Sequence, residues 1–149
     1  MKVFIPHNHR RCQVCSQGFF ADSPICFEAV GERETLVNHK ALANHEALVN
    51  YETRAKIVPT DKAEGYDGIM QGGIVTTLHD SAMLHCLFQN SITAMTVSLT
   101  SRFHHPIAIG QELEIHAQWV KSRRNIHFLE SKITQNGKLC SSAQSQFLS

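Results

Sequence analysis

The sequence predicts an α+β domain in which a curved antiparallel sheet wraps around one long central helix. Three observations carry that expectation. A helix-length run from about Gly72 to Phe88 is apolar over most of its circumference, and such helices are normally enclosed. The second half of the chain alternates apolar and polar residues, the signature of half-buried strands. Asn136-Gly137 separates two of these runs and is the dipeptide that tight hairpin turns favour.

Taken in order, residues 1–24 read as an irregular lead-in broken by Pro6, Gly18 and Pro24. Ile25 to Val30 fits a short strand. Leu36 to Thr53 holds three similar hexapeptides, LVNHKA, LANHEA and LVNYET. Solenoids need several stacked repeats to bury a core, so a local duplication is the better reading. Its conformation stays open, because Ala and Leu favour helix while Asn, His and Val do not. Tyr51 to Val58 reads as a strand, and Pro59 to Gly68 as a loop rich in turn formers. Within the helix, Ile74, Leu78, Ala82 and Cys86 recur every four residues, with Val75, Met83 and Leu87 as a neighbouring stripe. Val97, Leu99, Ser101 and Phe103 then alternate with Thr96, Ser98, Thr100 and Arg102. Leu113, Ile115, Ala117 and Trp119 alternate with Glu114, His116 and Gln118. Ile126 to Thr134 and Leu139 to Phe147 flank the Asn-Gly turn. The short links predict an antiparallel meander.

The totals exclude several function classes. A length of 149 residues suits a single domain, and 42% hydrophobic residues supply its core. Charged residues make up 18%, below the usual level of about 25%, so a large subunit interface is expected. A net charge of +1 without a long basic block argues against a nucleic-acid surface. No run approaches the roughly 20 apolar residues of a membrane helix. The start MKVFIPHNHRRC lacks the apolar stretch of a secretion signal. Five irregularly spaced cysteines fit reduced thiols in a cytoplasm.

Asp80 is the one formally charged residue between Asp67 and Arg102. A carboxylate in a segment that otherwise reads as core is costly to bury as an ion. Its pKa should be perturbed, and perturbed carboxylates cluster at functional sites. Gly72 and Gly73 open the same helix, where free N–H groups concentrate positive potential. An acid beside an anion site suggests acyl chemistry. Eight helical residues nevertheless place Asp80 about 12 Å along the axis from Gly72. Two antiparallel helices meeting at a dimer axis would bring one subunit's glycines to the other's Asp80.

The segments GYDGIMQGGIVTTLHDSAM and TVSLTSRFHHPIAIGQEL resemble the hotdog-fold acyl-CoA thioesterases of the phenylacetic-acid-pathway type. That family's pattern is a His-Gly-Gly turn, an apolar helix with an Asp nine residues after the His, and a strand ending near Pro and Gly. Gln71, Gly72, Gly73, Asp80, Pro106 and Gly110 occupy those positions, and the likeness runs roughly from Gly65 to Leu148. Cys12 and Cys15 resemble a Cys-x-x-Cys that some members carry near the start. Gln71 departs from the usual His, and Glu64-Gly65-Tyr66-Asp67-Gly68 contains no counterpart of the family's Asn. Residues 33–50, chiefly Leu36 to Ala47, look like an insertion within the single domain 1–149.

The resemblance implies a hotdog fold and hydrolysis of an acyl- or aryl-coenzyme A thioester at a dimer interface, within a homodimer or a dimer of dimers. Asp80 would be base or nucleophile, Gly72 and Gly73 the oxyanion site, Gln71 an orienting amide, and Thr96 a contact for the attacking water. Lys121, Arg123 and Arg124 are candidates for the coenzyme A phosphates, against the plainer reading of a polar hairpin tip. No metal or redox cofactor is expected. His7, His9, Cys12 and Cys15 have donor types suited to zinc, but His9 and Cys12 lie close together and no second ligand pair has the usual spacing. His79 and His85 point off the face of Asp80 and read as packing histidines, and His104-His105 as a solvated strand end. Two alternatives stay open: a non-catalytic acyl-CoA-binding or regulatory hotdog protein, and a hotdog hydratase or dehydratase acting on enoyl- or β-hydroxyacyl thioesters.

Overall fold

The computed structural model describes residues 1–30 and 51–149; the insertion at 33–50 and the repeat as far as Asn50 lie outside them. The described elements are β1 (Glu28–Val30), β2 (Glu52–Ile57), α1 (Gly72–Phe88), β3 (Met95–Phe103), β4 (Leu113–Arg123), β5 (Ile126–Gln135) and β6 (Lys138–Leu148). The six strands form one antiparallel sheet in the order β1-β2-β4-β5-β6-β3. The helix spans the predicted residues, while the first strand is shorter than Ile25 to Val30 would make it.

The simple meander holds only for β4, β5 and β6. Strand β3 pairs with β6 at the far edge rather than with β4. The link after β3 is occupied elsewhere, which explains the departure. Met70 N–H donates to Ile107 O at 2.8 Å, Ile109 N–H to Gly68 O at 2.9 Å, and Gly110 N–H to Pro59 O at 2.8 Å. These bonds draw residues 104–112 past the loop that precedes α1, so they cross over instead of turning back. The hairpin at Asn136-Gly137 forms as predicted, with φ of 54° and 74° at its central residues, the left-handed pair that matches strand twist.

Strand β4 buries Leu113, Ile115, Ala117 and Trp119 on the face that meets the helix, as its alternation requires. The helix packs on β2, β3, β4, β5 and β6, and every residue from Ser81 to Phe88 is buried. One helix cradled by a curved sheet is the hotdog arrangement. The lead-in completes the enclosure. Val3 N–H bonds Phe27 O at 2.9 Å and Ala29 N–H bonds Met1 O at 2.8 Å, which ties the first residues alongside β1. The Phe27 ring lies 4.3 Å from that of His85, and the His9 ring 4.9 Å from that of Phe88.

Two buried hydrogen-bond groups fasten the helix to the sheet. Ser141 Oγ donates to Arg102 O at 2.8 Å, so it accepts from His79 Nε2–H, also at 2.8 Å. His79 Nδ1 is then the acceptor for the Ser131 hydroxyl. Thr53 Oγ1 donates to Ala82 O at 3.1 Å. Burial lowers the pKa of both His79 and His85 to about 4, since a charged imidazole would lose its hydration there. Both are packing residues, as the sequence suggests.

The apolar residues of β3 are less covered than the alternation predicts, and the register sets Met95, opposite Leu148, on the other face from Phe103, opposite buried Ser141. Met95, Val97 and Phe103 are 74%, 58% and 57% exposed, and a bulge between Thr96 and Ser98 interrupts the pairing. An edge strand with exposed apolar side chains is a natural surface for another chain.

Candidate active site

The helix starts where the loop before it runs out of room. A Cβ on Gly65 would lie 3.0 Å from Gln71 Cα, so only glycine lets that loop fold back on Gln71. Gln71 is the N-cap, with φ −67° and ψ 135°, and its Oε1 accepts the Ile74 N–H at 2.8 Å. This side chain therefore satisfies one of the helix's orphan donors. The N–H groups of Gly72 and Gly73 are left heading the helix, where no intrahelical acceptor exists for them. Both glycines are exposed.

Eight residues on, Asp80 is half-buried, and its Oδ1 accepts the Thr96 hydroxyl at 2.6 Å. Burial raises the Asp80 pKa; the Thr96 hydrogen bond and the charge of His9 pull it back down. The structure thus brings Asp80 and Thr96 together, and separately Gln71 with the glycine pair. It leaves the two groups apart by the helical rise of about 12 Å. Between them, Gly72, Thr76 and Asp80 share one face at four-residue spacing, and none of the three is fully buried. This partly open strip contrasts with the enclosed half of the helix from Ser81 onward.

Lys121, Arg123 and Arg124 are exposed at the turn between β4 and β5, with Lys121 Nζ 5.0 Å from the centre of the Phe128 ring. The register runs Thr96, Phe147, His127, Ser122 across four strands. The basic turn therefore lies at the Asp80–Thr96 end, about 14 Å across the sheet from Thr96.

Sequence reasoning missed a cleft of ≈ 360 Å³ beside Gly72, walled by Tyr66, Val75, Phe103, His104, His105 and Ile107. His104-His105, read as a solvated strand end, is exposed and also lines this cleft. A larger cavity of ≈ 530 Å³ lies behind the lead-in, lined by Val3, Ile25, Phe27 and His85 among others, and contains neither Asp80 nor the glycine pair.

The thioesterase superfamily model matches residues 67–141, just over half of the chain. The chain belongs to the thioesterase superfamily. The expectation of a thioester hydrolase on a hotdog fold accordingly holds. No curated protein matches its sequence. Among solved structures, another thioesterase superfamily protein is similar with a TM-score of 0.65 and 18% identity, over 84% of this chain and 56% of that one. A thioesterase from Streptococcus pneumoniae TIGR4, solved with coenzyme A, has a TM-score of 0.66 and 15% identity over 82% of this chain and 86% of that one. A phenylacetic acid degradation-related protein from Ralstonia eutropha JMP134 has a TM-score of 0.60 and 22% identity over 66% and 76%. Two variants of the pneumococcal protein replace an Asp and a Thr that lie sixteen residues apart. Among the described residues, no helix is long and apolar enough to cross a membrane.

Proposed function

We propose that this superfamily member hydrolyses the thioester of an acyl- or aryl-coenzyme A at a site shared by two chains. The observation that carries the reading is the half-buried Asp80 held by Thr96 on a helix headed by two exposed glycine amides. The carboxylate attacks the acyl carbon or deprotonates the water that does so. The Gly72 and Gly73 N–H groups accept the charge that develops on the carbonyl oxygen, an interaction worth about 3–4 kcal/mol per donor in comparable sites. Gln71 commits its Oε1 to the helix cap, so its Nε2–H donors remain for a substrate oxygen. Thr96 positions the carboxylate and, through its hydroxyl oxygen, the water. The reaction needs no cofactor beyond the coenzyme A of its substrate.

The helical rise makes the dimer part of the chemistry. No single acyl carbon reaches both ends of the helical strip. An antiparallel partner helix sets the glycine amides of one chain opposite Asp80 of the other, and the exposed apolar residues of β3 supply surface for the contact. The cleft at Phe103 and His104 takes the acyl group, and Arg123, Arg124 and Lys121 meet the phosphates of the coenzyme. The coenzyme A in the pneumococcal relative supports the substrate class. The sixteen-residue Asp–Thr separation altered in that protein's variants is also that of Asp80 and Thr96.

The test is thiol release across a panel of acyl- and aryl-coenzyme A esters, with Asp80→Asn beside wild type. The variant should lose roughly a hundredfold or more in kcat, the scale of a positioned acid or base. An unchanged rate removes Asp80 from the mechanism. Hydration of an enoyl thioester is the second reading, because His104 and His105 stand beside Gly72. Loss of enoyl absorbance without thiol release would favour it.

A further inference from the structure

The lead-in carries a second chemical cluster that the hydrolytic reading does not use. His9, Cys12 and Cys15 each present a ligand atom within 4.8 Å of the others. A tetrahedral zinc-type centre, with metal–sulfur bonds near 2.3 Å and metal–nitrogen bonds near 2.0 Å, needs ligand separations of about 3.5–3.8 Å. The separations, at most 4.8 Å, would contract as the ligands close on a cation. His9 Nε2 is buried and has no hydrogen-bond partner among the described residues, an unusual state for a polar atom. His7, the other nearby candidate, is taken up by Arg10, whose guanidinium lies 2.8 Å from its Nε2.

Polar neighbours adjoin both sulfurs, while burial pushes the Cys15 thiol up to about 12. The Cys15 N–H points at Cys12 Sγ over 3.4 Å, and Ser81 Oγ lies 3.1 Å from Cys15 Sγ. Donors of this kind hold metal-bound sulfur in place and offset its charge. Backbone turns fix the loop, with Cys12 N–H bonded to His9 O at 3.1 Å and Ser16 N–H to Cys12 O at 3.0 Å.

We propose that His9 Nε2, Cys12 Sγ and Cys15 Sγ bind one zinc-class divalent cation that clamps the lead-in onto α1, with the fourth position left to water. On binding, the two thiols release their protons to solvent and the sulfurs coordinate as thiolates, with no change in oxidation state. His9 and Cys12 are only half-buried, which places the cluster near the surface of the lead-in. The proposed site departs from the expectation, drawn from spacing, that these residues hold no metal. The backbone folds His9 and Cys12 together despite their closeness in sequence, and Ser81 on the helix supplies the support that no second ligand pair provides.

The experiment is titration of the reduced full-length chain with cobalt(II), followed by displacement with zinc. About one cobalt per chain with the thiolate charge-transfer and intense visible bands of a tetrahedral centre is expected. Cys12→Ser and His9→Gln should weaken binding by at least ~100-fold, with circular dichroism checking that each variant folds. Ser81→Ala keeps all three ligands and should weaken binding about 10-fold through loss of support to the Cys15 sulfur. The proposal is overturned by a wild-type chain that gives no thiolate–cobalt spectrum. It is equally overturned if the folded Cys12→Ser variant binds as tightly as wild type.

Discussion

Acidification should destabilise this protein well before its carboxylates protonate, and the main cause is two imidazoles. His79 and His85 are 0% and 2% exposed and have their pKa lowered to about 4 from an ordinary 6.5. The unfolded chain takes up protons at these sites as pH falls through 6.5, while the folded chain does not until about 4. The stability they contribute is therefore complete above 6.5 and is lost on the way down to about 4. At about 1.4 kcal/mol per pH unit, each residue removes about 2 kcal/mol by about pH 5, and the pair about 4. Against a typical total of about 5–15 kcal/mol, that loss is large. Asp80 acts in the opposite sense, since its raised pKa makes its ionised form unfavourable in the fold and protonation relieves that. Urea midpoints measured from about pH 7.5 to about pH 4.5 would follow the effect. His85→Gln should take close to half from the slope, because His79 remains to titrate together with His9, whose pKa burial also lowers. A stability flat from about pH 7 to about pH 5, or His79 and His85 imidazole signals titrating near 6.5 in the folded protein, would refute the argument.

Two further outcomes test the site. Thr96→Val removes the 2.6 Å hydrogen bond that holds the Asp80 pKa down; the acidic limb of the kcat/KM profile should move to higher pH and kcat should fall about 10-fold. In Gly73→Ala, the new Cβ would lie 2.9 Å from Gln71 Oε1, which swings the amide off Ile74. Losing the cap costs about 1 kcal/mol and the alanine returns nearly as much in helix propensity, so Tm should hardly move while kcat drops.

The legible parts of this fold were those written in local pattern. The helix could be bounded from its apolar stripes and glycine pair, and β4 from its strict alternation. The Asn136-Gly137 turn was readable because its chemistry is specific. The position of β3 was not, since the crossover depends on hydrogen bonds from residues 104–112 to Gly68, Met70 and Pro59, which no periodicity records. At the site, Asp80 and the glycine pair stood out because each is anomalous in its own stretch. Their separation followed from helical rise alone. The pairing of His9 and Cys15 with the Asp80–Ser81 turn escaped notice because an irregular lead-in has no period to announce where it lands.

A helix that is greasy over most of its girth has little intrinsic reason to stop at any one azimuth inside its sheath. The serine–imidazole–serine bridge at position 79 and the threonine bond to Ala82 act as keys in a shaft, penalising rotation by stranding buried polar atoms. Because the carboxylate is the very next residue, its heading depends on these groups as well as on Thr96. Substitutions at Ser131 or Ser141, far along the sequence, would then aim the acid wrongly while leaving it in place.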